Sequence, residues 1–126
     1  MKILHLTLMS DWYSAIELGR KNEEYREIKP YWYQRLYQRK SEFLDVAGPL
    51  SKEDAEYACD PDLRYILKGD GFKDSELRPY THVLFRRGYT KSTLLRKIDS
   101  ITIGRGNPEL GAPEDRDVFI IKFHEE

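Results

Sequence analysis

Lys21, Glu24 and Arg26 lie within one short run, Gly19-Arg20-Lys21-Asn22-Glu23-Glu24-Tyr25-Arg26, that opens on a chain-turning glycine. Arg26 offers a planar two-pronged donor suited to a phosphate or a carbonyl, and Lys21 a compact charge that burial can turn into a base. Glu24 can accept from an exocyclic amine such as that of cytosine, or act as a general base. Together the three suit an anionic or amide-bearing ligand, provided the backbone brings their heads into one cleft. Spacing alone also fits an exposed ion-pair ladder worth under about 1 kcal/mol.

The elements around the run decide whether that proviso holds. Lys2-Ile3-Leu4-His5-Leu6-Thr7-Leu8 alternates as a first strand. Ser10 offers a cap for a helix over Asp11 to Leu18, with Trp12, Ala15 and Ile16 at helical spacing and Gly19 as its left-handed terminator. A helix continuing through Gly19 would lose roughly 1 kcal/mol, so Asn22 to Ile28 reads as a second strand. Glu24 and Arg26 then share one face, Tyr25 takes the other, and Lys21 sits in the entry turn. Pro30 opens a helix over Tyr31 to Lys40.

Residues 41–78 are interrupted by Gly48-Pro49, Asp60-Pro61 and Gly69-Asp70-Gly71, and read as a helical insertion, a flap rather than a domain. Ser51 with Asp54 begins one short helix, and Asp60-Pro61 begins another through Tyr65 to Lys68, with Leu63, Ile66, Leu67 and Phe72 to dock it. Strand character returns at His82 to Arg86, then Arg87-Gly88-Tyr89 turns the chain. Thr93 to Ile103 suits a long bent strand, Gly104 to Pro113 a structured loop, and Val118 to Phe123 a buried strand. The fold class is α+β: a small mixed barrel or sheet of about five strands with short helices, all in a single domain over 1–126.

A chain of 126 residues closes one core, and 40% hydrophobic content is enough to fold it. The net charge of −1 hides segregation: residues 20–40 carry +4 and 86–105 carry +5, whereas 41–78 carry −5 and 106–126 carry −4. A local basic patch forms if the positive stretches meet, but there is no basic footprint over the whole surface for tight, sequence-independent binding of long nucleic acid. The single cysteine, Cys59, excludes an internal disulfide and suits the cytoplasm. The N-terminus has no long apolar run, so neither a secretory signal nor a membrane span is expected.

Arg86, Arg87 and Arg105 supply further cations for phosphate, and Tyr89 an aromatic for stacking on a base; the same residues also suit a charged hairpin turn. Trp32, beside the run, is a second stacking candidate, whereas Trp12 on a helix face is expected in the core. His5, His82, His124 and Cys59 show no ligand spacing, so no metal is expected. Gly104 and Gly106 lack the context of a dinucleotide site, and no cofactor is expected.

Gly19-x-Lys21-x-x-Glu24-x-Arg26 resembles the GxKxxExR signature of the ASCH domain family, which is similar in fold to PUA RNA-binding domains. The flanking Glu27-Ile28-Lys29-Pro30-Tyr31-Trp32, the turn Phe85 to Tyr89 and the loop Gly104 to Pro113 look like those of small bacterial and phage ASCH proteins. The resemblance covers residues 1–37 and 80–124. It implies a PUA-like β-barrel whose cleft, lined by Lys21, Glu24 and Arg26, holds RNA or a nucleoside-like ligand. It also implies two enzyme alternatives: an acetylcytidine amidohydrolase and a ribonuclease, with Lys21 and Glu24 catalytic. The amidohydrolase branch places a threonine where this chain has Glu24, and Thr90 and Thr93 lie elsewhere. A third alternative is a protein-interaction domain working through the acidic insertion.

Overall fold

Leucine at every second position makes Ile3–Leu8 a strand (β1) with Leu4, Leu6 and Leu8 buried and His5 and Thr7 exposed. A helix (α1, Ser10–Glu17) and a second strand (β2, Glu23–Glu27) follow. Next come a helix (α2, Pro30–Leu36) and two short strands (β3, Tyr37–Arg39; β4, Gly48–Pro49). A third helix (α3, Lys52–Ala58) precedes β5 (Ser75–Leu77), and β6 (His82–Arg87), β7 (Thr93–Gly104) and β8 (Val118–His124) complete the order. The computed structural model describes residues 1–39, 48–60 and 75–125. The helix expected from Asp60-Pro61 through Tyr65 to Lys68, with the docking residues Leu63, Ile66, Leu67 and Phe72, falls outside them apart from Asp60. The described residues are mixed α and β, and they fall into two compact units, residues 1–25 with 79–126, and residues 26–78.

The first unit is organised by a curled five-stranded sheet in the order β1-β6-β7-β8-β2. β1 runs parallel to β6, with Leu4 opposite Val83 and Leu6 opposite Phe85, while β6/β7 and β7/β8 are antiparallel. The long, bent strand expected over Thr93 to Ile103 is β7. A bulge between Ile98 and Ser100 shifts its register against β8, which is how an antiparallel strand bends without losing its partner. Val83, Phe85, Phe119 and Ile121 are fully buried, and the Phe85 and Phe123 rings stand 4.8 Å apart. α1 packs against β6 and buries Tyr13 and Ile16.

One expectation about α1 turns out differently. Met9, not Ser10, is the capping residue, and no side chain bonds there. Ser10 is the first helical residue, and its hydroxyl accepts instead from Arg87 Nε at 2.8 Å. The C-terminal end behaves as glycine dictates. Gly19 adopts φ 77°, and the Arg20 N–H returns to the Ala15 carbonyl at 2.8 Å, closing the helix with the wide turn that only a left-handed residue permits.

The first helix of the second unit is α2, where Pro30 takes the first turn as expected. The helix stops at Leu36, however, rather than running to Lys40. Tyr37 turns extended, and β3 becomes the middle strand of a three-stranded sheet, β4-β3-β5. Pairing with residues distant in sequence overrides the local helical pattern. Arg78 seals the break: its backbone N–H donates to Leu36 O, and its guanidinium donates to Gln34 O at 2.7 Å and Tyr37 O at 3.1 Å. Carbonyls left over at the helix end are thereby satisfied. Ser51 caps α3, accepting from the Asp54 N–H at 3.0 Å, as its spacing predicts. The described part of 41–78 therefore holds strands as well as a helix, which corrects the purely helical reading.

Candidate ligand-binding site

The turn after α1 delivers Lys21. Its backbone N–H also reaches Ala15 O, at 3.2 Å, so the residue leaves the helix on a fixed path into β2. On β2, Glu24 and Tyr25 are both buried. The Lys21 ammonium donates to the carbonyl of Leu110 and lies 3.2 Å from Glu24 Oε1, the two side chains being 1% and 6% exposed. The same carboxylate oxygen accepts from the Tyr25 N–H at 3.0 Å. Lys21 Nζ is 4.2 Å from the centre of the Trp12 ring and 5.4 Å from that of Tyr25, within range for attraction to the π-face.

The loop after β7 is shaped to this cluster. Tyr25 donates its hydroxyl to Glu23 Oε1 at 3.3 Å and accepts from the Asn107 N–H at 3.1 Å. Asn107 Oδ1 accepts from the Glu109 N–H, starting a short 3-10 turn over Pro108–Leu110 that presents the Leu110 carbonyl to Lys21. A Cβ on Gly106 would stand 2.6 Å from both Tyr25 Cε1 and Ala112 Cβ, so only glycine fits against the tyrosine ring. Gly111, at φ 103°, has the Trp12 ring 2.9 Å from where a Cβ would be. Burial, aided by the negative charges of Glu23 and Glu24, raises the Tyr25 phenol above its ordinary value, while the Asn107 N–H opposes the rise.

Lys21 and Glu24 are thus brought into direct contact. Arg26 falls in the second unit, with its guanidinium carbon 5.2 Å from the Trp32 ring centre. Arg86, Arg87 and Tyr89 form the turn between β6 and β7. Arg86 donates to Thr90 O at 3.1 Å, Arg87 to Ser10, and Tyr89 is fully exposed. Arg105 is bound within its own loop by Asp117 and the Glu114 carbonyl. The Thr90 hydroxyl donates to Arg87 O at 2.6 Å, and Thr93 is exposed at the start of β7. Two residues beside Lys21 were misread or missed from sequence. Trp12 is only half-buried and covers the ammonium rather than sitting in the core. Tyr25 walls the same ammonium; its place between two charged neighbours in the run was the available signal.

The cluster can offer a charged donor and a charged acceptor 3.2 Å apart beneath aromatic rings. A ligand carbonyl or phosphate oxygen suits the donor, and an amine suits the acceptor. Among the described residues, no group of three or more His, Cys, Asp or Glu side chains could hold a metal ion, and no helix is long and apolar enough to cross a membrane. No family model, no curated protein and no solved structure matches the chain.

Proposed function

We propose that this chain is an ASCH-type binding domain of PUA-like fold, working in the cytoplasm, that holds RNA or a nucleoside-like ligand through Lys21, Glu24 and Arg26. The observation that carries the proposal is the buried contact between Lys21 and Glu24. Burying both charges costs several kcal/mol, and well-packed apolar residues of similar volume are often as stable or more so. Stability alone therefore gives little reason for an ammonium and a carboxylate there, whereas recognition of a polar ligand gives one.

The division of labour follows from the groups. Lys21 donates to a carbonyl or phosphate oxygen, Glu24 accepts from an exocyclic amine, and Arg26 supplies a two-pronged donor for phosphate. Trp12 and Tyr25 hold the ammonium in place. Binding is favoured over amidohydrolysis because Glu24 stands where that branch of the family carries its threonine.

Thermal unfolding in the presence of cytidine, acetylcytidine, mononucleotides and short RNAs tests the proposal. At least one is expected to stabilise the wild type and to lose its effect on Arg26→Ala. Binding that follows deletion of 41–78 and ignores Arg26 would instead favour a protein-interaction domain.

A further inference from the structure

A ligand that touches Lys21 and Glu24 must reach side chains that are 1% and 6% exposed, so the site is closed in this structure. The ammonium faces Glu24 Oε1, the Leu110 carbonyl, and the rings of Trp12 at 4.2 Å and Tyr25 at 5.4 Å. The Leu110 carbonyl belongs to a pinned turn: the Leu110 and Ala112 N–H groups both donate to Asn107 O, at 2.9 and 3.2 Å. Tyr25 is tied through its hydroxyl to Glu23 and Asn107, with Gly106 packed against its ring. Trp12 has no such tie. Its ring is half-buried, its indole N–H makes no hydrogen bond among the described residues, and it meets the ammonium through its π-face. The ring lies against Gly111, which has no side chain to lock it; a Cβ there would stand 2.9 Å from Trp12 Cζ2.

We infer that Trp12 is a movable cover over Lys21, and that turning its indole aside is the step that admits the ligand. The motion is a side-chain rotation on α1, whose Tyr13 and Ile16 stay buried, so no backbone hydrogen bond breaks. An oxygen or a π-face of the ligand then takes the place that the indole leaves on the ammonium, because these are the groups that satisfy a buried cation. A purely aliphatic ligand offers neither and leaves the cover shut. The inference rests on Lys21 as a ligand-binding residue and adds Trp12 as the residue that controls access to it.

Acetylation of the full chain by an N-hydroxysuccinimide ester, read at each lysine by mass spectrometry, measures access to Lys21 without any ligand. Lys29, whose side chain is 57% exposed, is the reference. Wild-type Lys21 is expected to react slowly, at a rate that low urea does not change, because a local opening exposes little surface. Trp12→Ala should raise that rate about tenfold, the equivalent of one lost cation–π contact, and keep it insensitive to urea. Trp12→Phe, which keeps a smaller ring over the ammonium, should fall between. Equal Lys21 rates in wild type and both variants, or a rate that rises with urea along the global unfolding curve, would overturn the cover. Trp32→Phe leaves Trp12 as the only tryptophan and gives a second readout. Cytidine monophosphate is expected to move its emission to longer wavelength over the same concentrations that raise Tm. A Tm shift without an emission change overturns the cover and leaves the binding reading standing. Faster labelling in Trp12→Ala, with no Tm shift from any nucleoside, nucleotide or RNA, keeps Trp12 as the cover and overturns the ligand reading.

Discussion

Lys21 and Glu24 give up hydration that Lys21 recovers from Glu24 and the Leu110 carbonyl, and Glu24 from Lys21 and the Tyr25 N–H, so the pair is sensitive to losing one member alone. Lys21→Met leaves Glu24 buried without its cation, and a loss of about 3 kcal/mol is expected in urea unfolding. Adding Glu24→Leu should restore most of that loss, because both charges are then gone. A double variant as unstable as the sum of the singles would show that the two side chains do not interact. Tyr25 gives the second test at this scale. Its folded pKa is raised from 10.0, so the fold favours the neutral phenol. That contribution is complete below pH 10 and is lost as pH rises through the folded value. Tyr25→Phe is expected to cost about 1 kcal/mol at neutral pH, from the lost bonds to Asn107 and Glu23. The gap to wild type should narrow above pH 10, and a gap that stays constant would contradict the raised pKa.

Glycines set the elements, for two different reasons. Nothing stands within 4 Å of a Cβ placed on Gly19, so Gly19→Ala meets only the left-handed backbone and should cost about 1 kcal/mol. Gly106→Ala would press into Tyr25 and Ala112, and about 2–3 kcal/mol is expected from overpacking. Denaturant unfolding that ranks them in the opposite order would contradict the close packing of the loop on Tyr25. The same elements show what the sequence could reveal. Leu4, Leu6 and Leu8 alternate plainly, Gly19 marks a helix end, and Val118 to Phe123 is apolar enough to be a buried strand. The end of α2 could not be read, because β3 forms by pairing with Gly48–Pro49 and with Ser75–Leu77, the latter far along the chain. Nor could the parallel pairing of β1 with β6, which joins segments nearly 80 residues apart. Trp12 fits a core stripe of one helix equally well as a cover for Lys21, and only the position of the turn after Gly19 separates the two.

For the whole molecule, the near-neutral net charge and the segregated basic stretches suit the proposed recognition of RNA or a nucleoside-like ligand at defined residues better than coating by long nucleic acid. A ligand that binds only the folded chain stabilises it by about 2.7 kcal/mol at a hundredfold excess over Kd, which moves Tm by several degrees. The most direct measurement is therefore thermal unfolding of wild type and Arg26→Ala against cytidine, acetylcytidine, mononucleotides and short RNAs. A shift of several degrees with at least one of them, absent in Arg26→Ala, is the expected result. A flat panel for wild type, or a shift that Arg26→Ala retains in full, would contradict the assignment of Lys21, Glu24 and Arg26 as a nucleoside or RNA site.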